Sequence, residues 1–246
     1  MSKKLFLAAA VAVVAFAQGA KAQTNLQTFY DFGKGRGYFT TTLEGFYGDN
    51  WGNTFFFIDY DYNDKSDGKI ISPNNTYMEI ARCLNFWQNT KLGALSLQVE
   101  YNGGFGTWGD LTGVPGVGYG AFPVNSAFLF GLDYFLHSKD FKNTLNLKVL
   151  YKHFVGLQSN VPVQFTTVWG CQDLFGLTGV RFSGFLDVWC EGSKVVALSE
   201  PQLWYNIGSL FGCPNLNIGS EVEFSYNFAG MQGFQVMPCL GTKWVF

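Results

Sequence analysis

Between Asn217 and Asn227 the chain alternates strictly, and that alternation constrains its fold more than any other feature. Asn217, Gly219, Glu221, Glu223, Ser225 and Asn227 share one parity; Ile218, Ser220, Val222, Phe224 and Tyr226 share the other. Alternate residues of an extended strand point to opposite faces, so one face carries two carboxylates and the other is largely apolar. A sandwich strand can do the same. What favours a barrel is recurrence, with large aromatics on the apolar face. Leu95, Leu97, Val99 and Tyr101 oppose Ser96, Gln98, Glu100 and Asn102; Leu145, Leu147, Val149 and Tyr151 oppose Asn146, Lys148, Leu150 and Lys152. Phe39, Thr41, Leu43 and Tyr47 oppose Thr40, Thr42, Glu44 and Phe46, and Phe56, Ile58, Tyr60 and Tyr62 oppose Asp59 and Asp61. Beyond the first residues no segment reaches the ~18 consecutive apolar residues of a membrane helix. A closed barrel is then the way to cross lipid with every backbone group paired.

The pattern predicts strands near 25–33, 37–47, 53–62, 77–86, 94–102, 125–136, 145–154, 163–170, 177–189, 197–207, 215–228 and 234–246. The expected fold is all-β: a transmembrane, antiparallel, up-and-down barrel of about twelve strands. An even number returns both ends to one side, the periplasmic one. Connections 63–76, 103–124 and 190–196 then fall outside, and those at 48–52, 87–93, 137–144, 171–176 and 208–214 fall inside as compact turns. In the fourth strand Arg82 interrupts the apolar parity of Met78 and Ile80, which suggests a bulge.

Composition agrees. Aromatic residues are 18% and charged residues 14%, against roughly 25% charged in an ordinary soluble domain. Lys3 and Lys4, the apolar run Leu5–Ala17 and the small-x-small triplet Ala20-Lys21-Ala22 read as a secretory signal over 1–22, cleaved near Ala22; a short membrane anchor is the alternative. The barrel would occupy 23–246. Without the three signal lysines, 13 basic side chains face 18 acidic ones, a net charge of −5, which disfavours nucleic acid as a partner. The five cysteines, Cys83, Cys171, Cys190, Cys213 and Cys239, show no CxxC or metal spacing. They read as isolated side chains of the wall or turns, with a disulfide left open.

Catalytic chemistry finds little support. The histidines, His137 and His153, lack the compact His-x-Ser-Asn pattern of outer-membrane phospholipases, and no His/Cys cluster suggests a metal. The glycines of 113–120 have no strand-turn-helix context and no nucleotide-binding character. No cofactor is expected. Strand 1 begins almost at the cleavage site, leaving no room for a plug domain.

By parity the lumen would be lined by Glu44, Asp59, Asp61, Glu79, Glu100, Asp133, Lys148, Lys152, Arg181, Asp187, Glu221, Glu223 and Lys243, with the rings of Phe46, Phe55, Phe57, Phe185, Trp189 and Trp204. Rings and ionisable groups together suit a flat, polar, largely uncharged solute that stacks and hydrogen-bonds weakly at several points. The alternative is a closed barrel, its charges paired and its rings filling the lumen, with a structural or surface-interaction role through the 103–124 loop. A lipid hydrolase is a third reading. At the other end Phe234, Val236, Leu240, Trp244 and the final Phe246 share one parity. Such a strand resembles the signal read by outer-membrane barrel assembly machinery.

The stretches Thr42-Leu43-Glu44-Gly45-Phe46, Phe57-Ile58-Asp59-Tyr60 and Tyr77-Met78-Glu79-Ile80-Ala81-Arg82, with Gly184-Phe185, Asp187 and Trp189 later, resemble the Tsx-like family of nucleoside-specific outer-membrane channels, including such barrels of gut-type diderm bacteria. The resemblance spans the chain after the signal. It implies a monomeric twelve-stranded barrel in outer-membrane lipid that passes nucleosides passively, and it implies that Glu44, Asp59, Glu79, Arg82 and Asp187 line the pore.

Overall fold

The computed structural model describes residues 22–62, 73–109 and 119–246. The predicted signal, but for Ala22, and the central parts of the predicted outer connections 63–76 and 103–124 lie outside them. The strands are β1 (Ala22–Asp31), β2 (Phe39–Asp49), β3 (Gly52–Tyr62), β4 (Pro73–Leu84), β5 (Leu95–Gly109), β6 (Tyr119–His137), β7 (Asn143–Phe154), β8 (Val163–Gln172), β9 (Val180–Glu191), β10 (Lys194–Ser199), β11 (Gln202–Tyr205), β12 (Leu216–Tyr226) and β13 (Phe234–Val245). Each pairs antiparallel with its neighbour. The sheet closes where β1 meets β13, from Asn25 opposite Val245 to Asp31 opposite Cys239. Segments β10 and β11 are halves of one stave: the register on β9 runs on from Ser199–Leu186 to Gln202–Ser183, and on β12 from Ser199–Phe224 to Gln202–Glu221. Pro201 parts the halves. The molecule is therefore a closed twelve-stranded barrel with both ends of the described chain at one rim.

Three expectations need correction. Most of the predicted 103–124 connection is strand, because β5 and β6 stay paired from Gly104–Val124 to Gly109–Tyr119. Gly104 marks close approach rather than a turn: a Cβ there would lie 2.1 Å from the Thr76 carbonyl oxygen. The predicted loop at 190–196 is a two-residue reversal, Gly192–Ser193, closed by the pair Glu191–Lys194, with Gly192 at φ 60. No bulge accompanies Arg82; β3 and β4 keep register from Gly52–Leu84 to Asp61–Asn75 and slip only at Asp61/Tyr62.

Exposure runs opposite to that of a soluble protein. Phe130 and Leu240 on the outer face are 54% and 58% exposed, while Gln98 and Gln27 on the inner face are 0% and 1% exposed. An apolar belt of this extent on a soluble monomer would drive association; around a barrel it meets lipid. Among the described residues no helix is long and apolar enough to cross a membrane; the crossing is made by strands.

The interior is packed unevenly. Ala127, Leu129, Leu150, Phe154, Trp189 and Val196 fill the side formed by β6, β7, β9 and β10. A second cluster joins Phe29 and Trp204, ring centroids 5.5 Å apart, with Cys239. Those rings close over a glycine pair: along one row of the sheet Trp204, Gly219, Gly241 and Phe29 are successive neighbours. A Cβ on Gly219 would meet the Trp204 ring at 2.5 Å, and one on Gly241 the Phe29 ring at 2.6 Å. All five cysteines are free, with Cys83 and Cys239 buried.

Candidate functional site

The wall formed by β2, β3 and β4 carries polar groups at matched heights. Glu44, Phe57 and Glu79 are neighbours across the three strands, as are Thr42, Asp59 and Tyr77. All six are half-buried, facing the lumen without being sealed into it. The rings form a ladder, Phe55 to Phe57 at 6.1 Å and Phe57 to Tyr77 at 6.0 Å. Beside it each carboxylate is held by a neutral donor: Glu44 by Asn25 at 2.8 Å, Asp59 by Thr42 at 2.5 Å, Asp61 by Thr40 at 2.7 Å and Glu79 by Tyr77 at 2.7 Å.

The carboxylates also face one another. Glu200 feels the charges of Glu221, Asp59, Glu223 and Glu79. Glu79 in turn feels Glu100, Asp187 and Lys152. The lysines of the lumen lie within electrostatic reach of these acids, Lys152 of Glu79, Asp187 and Glu100 and Lys243 of Glu44 and Glu221, but among the described residues neither forms an ion pair with them. The Lys152 ammonium sits 4.2 Å from the Trp189 ring centroid and donates to Gln164 Oε1 at 2.6 Å. The Lys243 ammonium sits 4.2 Å from the Trp204 centroid. Trp204 Nε1–H donates to Gln202 Oε1 at 2.7 Å, and Gln202 Nε2–H donates to Glu221 at 2.5 Å. Among the described residues, the lumen ion pairs are those of Arg36, which reaches in from the first connection to Asp31 at 2.8 Å and Glu223 at 2.7 Å.

Glu44, Phe46, Phe57, Asp59, Asp61, Glu79, Glu100, Asp133, Lys148, Lys152, Arg181, Phe185, Asp187, Trp204, Glu221 and Glu223 all occupy inward positions of the register. They are not equivalent. Phe46 lies at the rim and is 45% exposed, whereas Trp204 is sealed in its cluster at 2%. Asp133 is clamped by Asn146 Nδ2 at 2.8 Å and 2.9 Å and is buried. Arg82 departs from the expectation: it shares the outward face with Ile80, donates to Thr54 at 3.1 Å and pairs with Asp49 at 2.9 Å at the rim. Strand parity required this, since positions 78, 80 and 82 of an unbroken strand point one way.

Sequence reasoning missed Glu200, Arg36 and Tyr77. Glu200 was legible in principle, because it shares parity with Trp204 in the predicted strand 197–207; Pro201 obscured it. Arg36 carries no periodic signal, since it lies in a connection. The histidines form no catalytic arrangement: His137 stacks on Phe141 at 3.9 Å with Nδ1 at the Ser138 carbonyl, and His153 shares the outward parity of Tyr151. Among the described residues no serine hydroxyl meets either ring, and no group of three His, Cys, Asp or Glu is placed to hold a metal ion.

No curated protein sequence matches the chain. Among solved structures, outer membrane phospholipase A from Escherichia coli superposes with a TM-score of 0.51 at 10% identity, covering 90% of this chain and 95% of that one. The calcium-bound Salmonella typhi outer membrane phospholipase dimer gives 0.49 at 9% identity over 90% of each chain. A BenF-like porin from Pseudomonas fluorescens Pf-5 gives 0.40 at 8% identity over 94% of this chain and 99% of that one. At such identities the first likeness establishes the fold of a bacterial outer-membrane barrel and nothing of its chemistry. A family model described as "Domain of unknown function (DUF5020)" matches residues 22–246, the whole of the barrel, and the chain belongs to that family.

Proposed function

We propose that the protein is a passive outer-membrane channel for small polar solutes, with nucleosides as the foremost class. The observation that carries this is the half-buried ladder of Phe55, Phe57 and Tyr77 beside the carboxylates Glu44, Asp59 and Glu79. A flat base stacks on the rings while hydroxyls hydrogen-bond to the acids. Each contact is weak and is repeated along the wall, which lets a solute both enter and leave. The resemblance of these strands to Tsx-like channels supports the same reading. In this proposal residues 1–22 are a cleaved export signal and both ends face the periplasm. The terminal strand ending at Phe246 is recognised by the assembly machinery, the barrel is monomeric, and it has no enzymatic role.

The packed side of the interior favours a second reading. Leu129, Leu150, Phe154, Trp189 and Val196 occupy space an open pore would leave empty, as expected of a closed barrel. Liposome swelling with the refolded protein separates the two, with uridine compared against sugars and amino acids of similar mass. Faster swelling with uridine, slowed by Phe57→Ala, is the expected result. Equal rates for all solutes would keep the channel and remove nucleoside preference; no swelling from folded protein would sink the channel.

A further inference from the structure

We infer that the lumen binds small organic cations, solutes bearing ammonium or guanidinium groups, at the carboxylate belt of Glu44, Asp59, Glu79, Glu200 and Glu221. The belt alone would be only a cluster of acids. What points to a cation is the unmet hydrogen-bonding around it. Gln27, 1% exposed, leaves Oε1 without a donor; Asn102, 3% exposed, leaves Oδ1; and Glu223, 5% exposed, leaves Oε1. Asn102 adjoins Glu79 across β4 and β5, and Gln27 adjoins Thr42, the partner of Asp59. The orientation of Gln27 is fixed by a chain of donors, from Gln27 Nε2 to Asn25 Oδ1 at 2.9 Å and from Asn25 Nδ2 to Glu44 at 2.8 Å. That chain ends on a carboxylate, which only accepts. The orphans that adjoin the belt, at Gln27 and Asn102, are acceptors, so the partner missing there is a donor or a positive charge; the unpartnered Ser225 hydroxyl, which can donate, lies beside Glu223 and its Arg36 pair instead. A buried acceptor left unpaired costs about 1–3 kcal/mol.

The protein's own bases offset the belt only at a distance, Lys243 (opposite Gln27 across β1 and β13) acting on Glu44 and Glu221, and Lys152 on Glu79. Among the described residues no ion pair joins Lys152 or Lys243 to the belt; each ammonium rests on an indole face with a glutamine carbonyl beside it, Gln164 at 2.6 Å and Gln202 at 3.4 Å. This is how the interior solvates an ammonium group: a ring face on one side and a carbonyl on the other. A solute ammonium at Phe57 or Tyr77 finds the same kind of surroundings, with carboxylates added. Since among the described residues no three acids converge to ligate a single metal, the belt suits an extended cation whose charges meet different carboxylates in turn.

For transport this inference rests on the channel reading; for binding it does not. The test uses the refolded full mature chain, with putrescine as the probe. In planar bilayers under a KCl gradient the reversal potential should show a severalfold preference for K+ over Cl−. Putrescine should block the current, and succinate should not. In Glu200→Gln/Glu221→Gln protein both the preference and the block should weaken severalfold. Current that is unselective or anion-selective, and unaffected by putrescine, would overturn the inference and leave the channel standing. Should folded protein pass no current, the channel reading fails. A putrescine titration of tryptophan fluorescence in micelles then decides the inference: a saturable change supports it, and no change overturns it. Should the double variant not fold, the wild-type reversal potential and block decide alone.

Discussion

At the scale of single residues, two positions make testable demands. Asp173, in the turn after β8, accepts from the Lys142 ammonium at 2.7 Å and from the Gly179 N–H at 2.9 Å. The lysine first, and then the backbone donor, holds its carboxyl down at about 2. A carboxylate whose folded pKa lies below its unfolded value of 3.8 contributes stability above that value and loses it as pH falls through the folded pKa. Wild-type barrels should therefore lose the turn's contribution between about pH 4 and pH 2. Asp173→Asn should lose that step while tolerating the left-handed backbone at this position, φ 55. Denaturant midpoints in micelles at the two ends of that window check this; an equal drop in wild type and variant would refute it. Gly219 makes a steric demand. With the Leu203 carbonyl oxygen 2.3 Å and the Trp204 ring 2.5 Å from where a Cβ would stand, Gly219→Ala should press β11 away from β12, push the indole off Phe29 and destabilise the barrel by about 1–3 kcal/mol. Urea unfolding followed by tryptophan emission reads both the loss and the displaced ring.

At the scale of elements the broken stave is the anomaly. Proline is ordinarily kept out of interior strands because it has no N–H to donate. Pro201 nonetheless sits between β9 and β12, with its carbonyl accepting from Val222 N–H at 3.1 Å and no donor to return. In lipid an unreturned backbone bond costs more than in water. Pro201→Val should rejoin β10 and β11 and raise stability by about 1 kcal/mol, seen as a higher denaturant midpoint; an unchanged or lower one would show that Val222 O is satisfied another way. The stave also shows what was legible. Alternation located every strand, because with lipid outside and polar groups inside, each step along the chain changes environment. It named Glu221 and Asp59 as inward without any knowledge of their neighbours. It was less informative where a residue carries two meanings: the Gly103–Gly106 region reads as a turn until Thr76 is seen pressing on Gly104. Which inward rings seal the lumen and which stay open was not legible at all. Trp204 is buried because the glycines on β12 and β13 let its ring lie over them against Phe29, a contact between segments that no local pattern encodes.

At the scale of the whole molecule, closure decides both stability and access. The sheet has no free edge, so the seam between β1 and β13 must hold as well as any other pairing, although its strands come from opposite ends of the chain. Arg36 is placed to reinforce it. From the connection after β1 its guanidinium reaches Asp31 on β1 and Glu223 on β12, spanning β13, which lies between them. The two acids are only 4% and 7% exposed at their side chains, and the arginine 20%. Removing one partner of a buried pair leaves an uncompensated charge, and costs of about 3–5 kcal/mol are usual. Arg36→Gln should therefore destabilise the barrel by that order, far more than a substitution elsewhere in the connection such as Lys34→Gln. It should also free two carboxylates at the mouth of the lumen. If the lumen conducts, the variant's current should then be more cation-selective than the wild type's, not less. A variant that is less stable yet unchanged in selectivity would show that Arg36 ties the seam without standing in the path of the solute. Unchanged stability would mean that the seam is held by the backbone ladder alone.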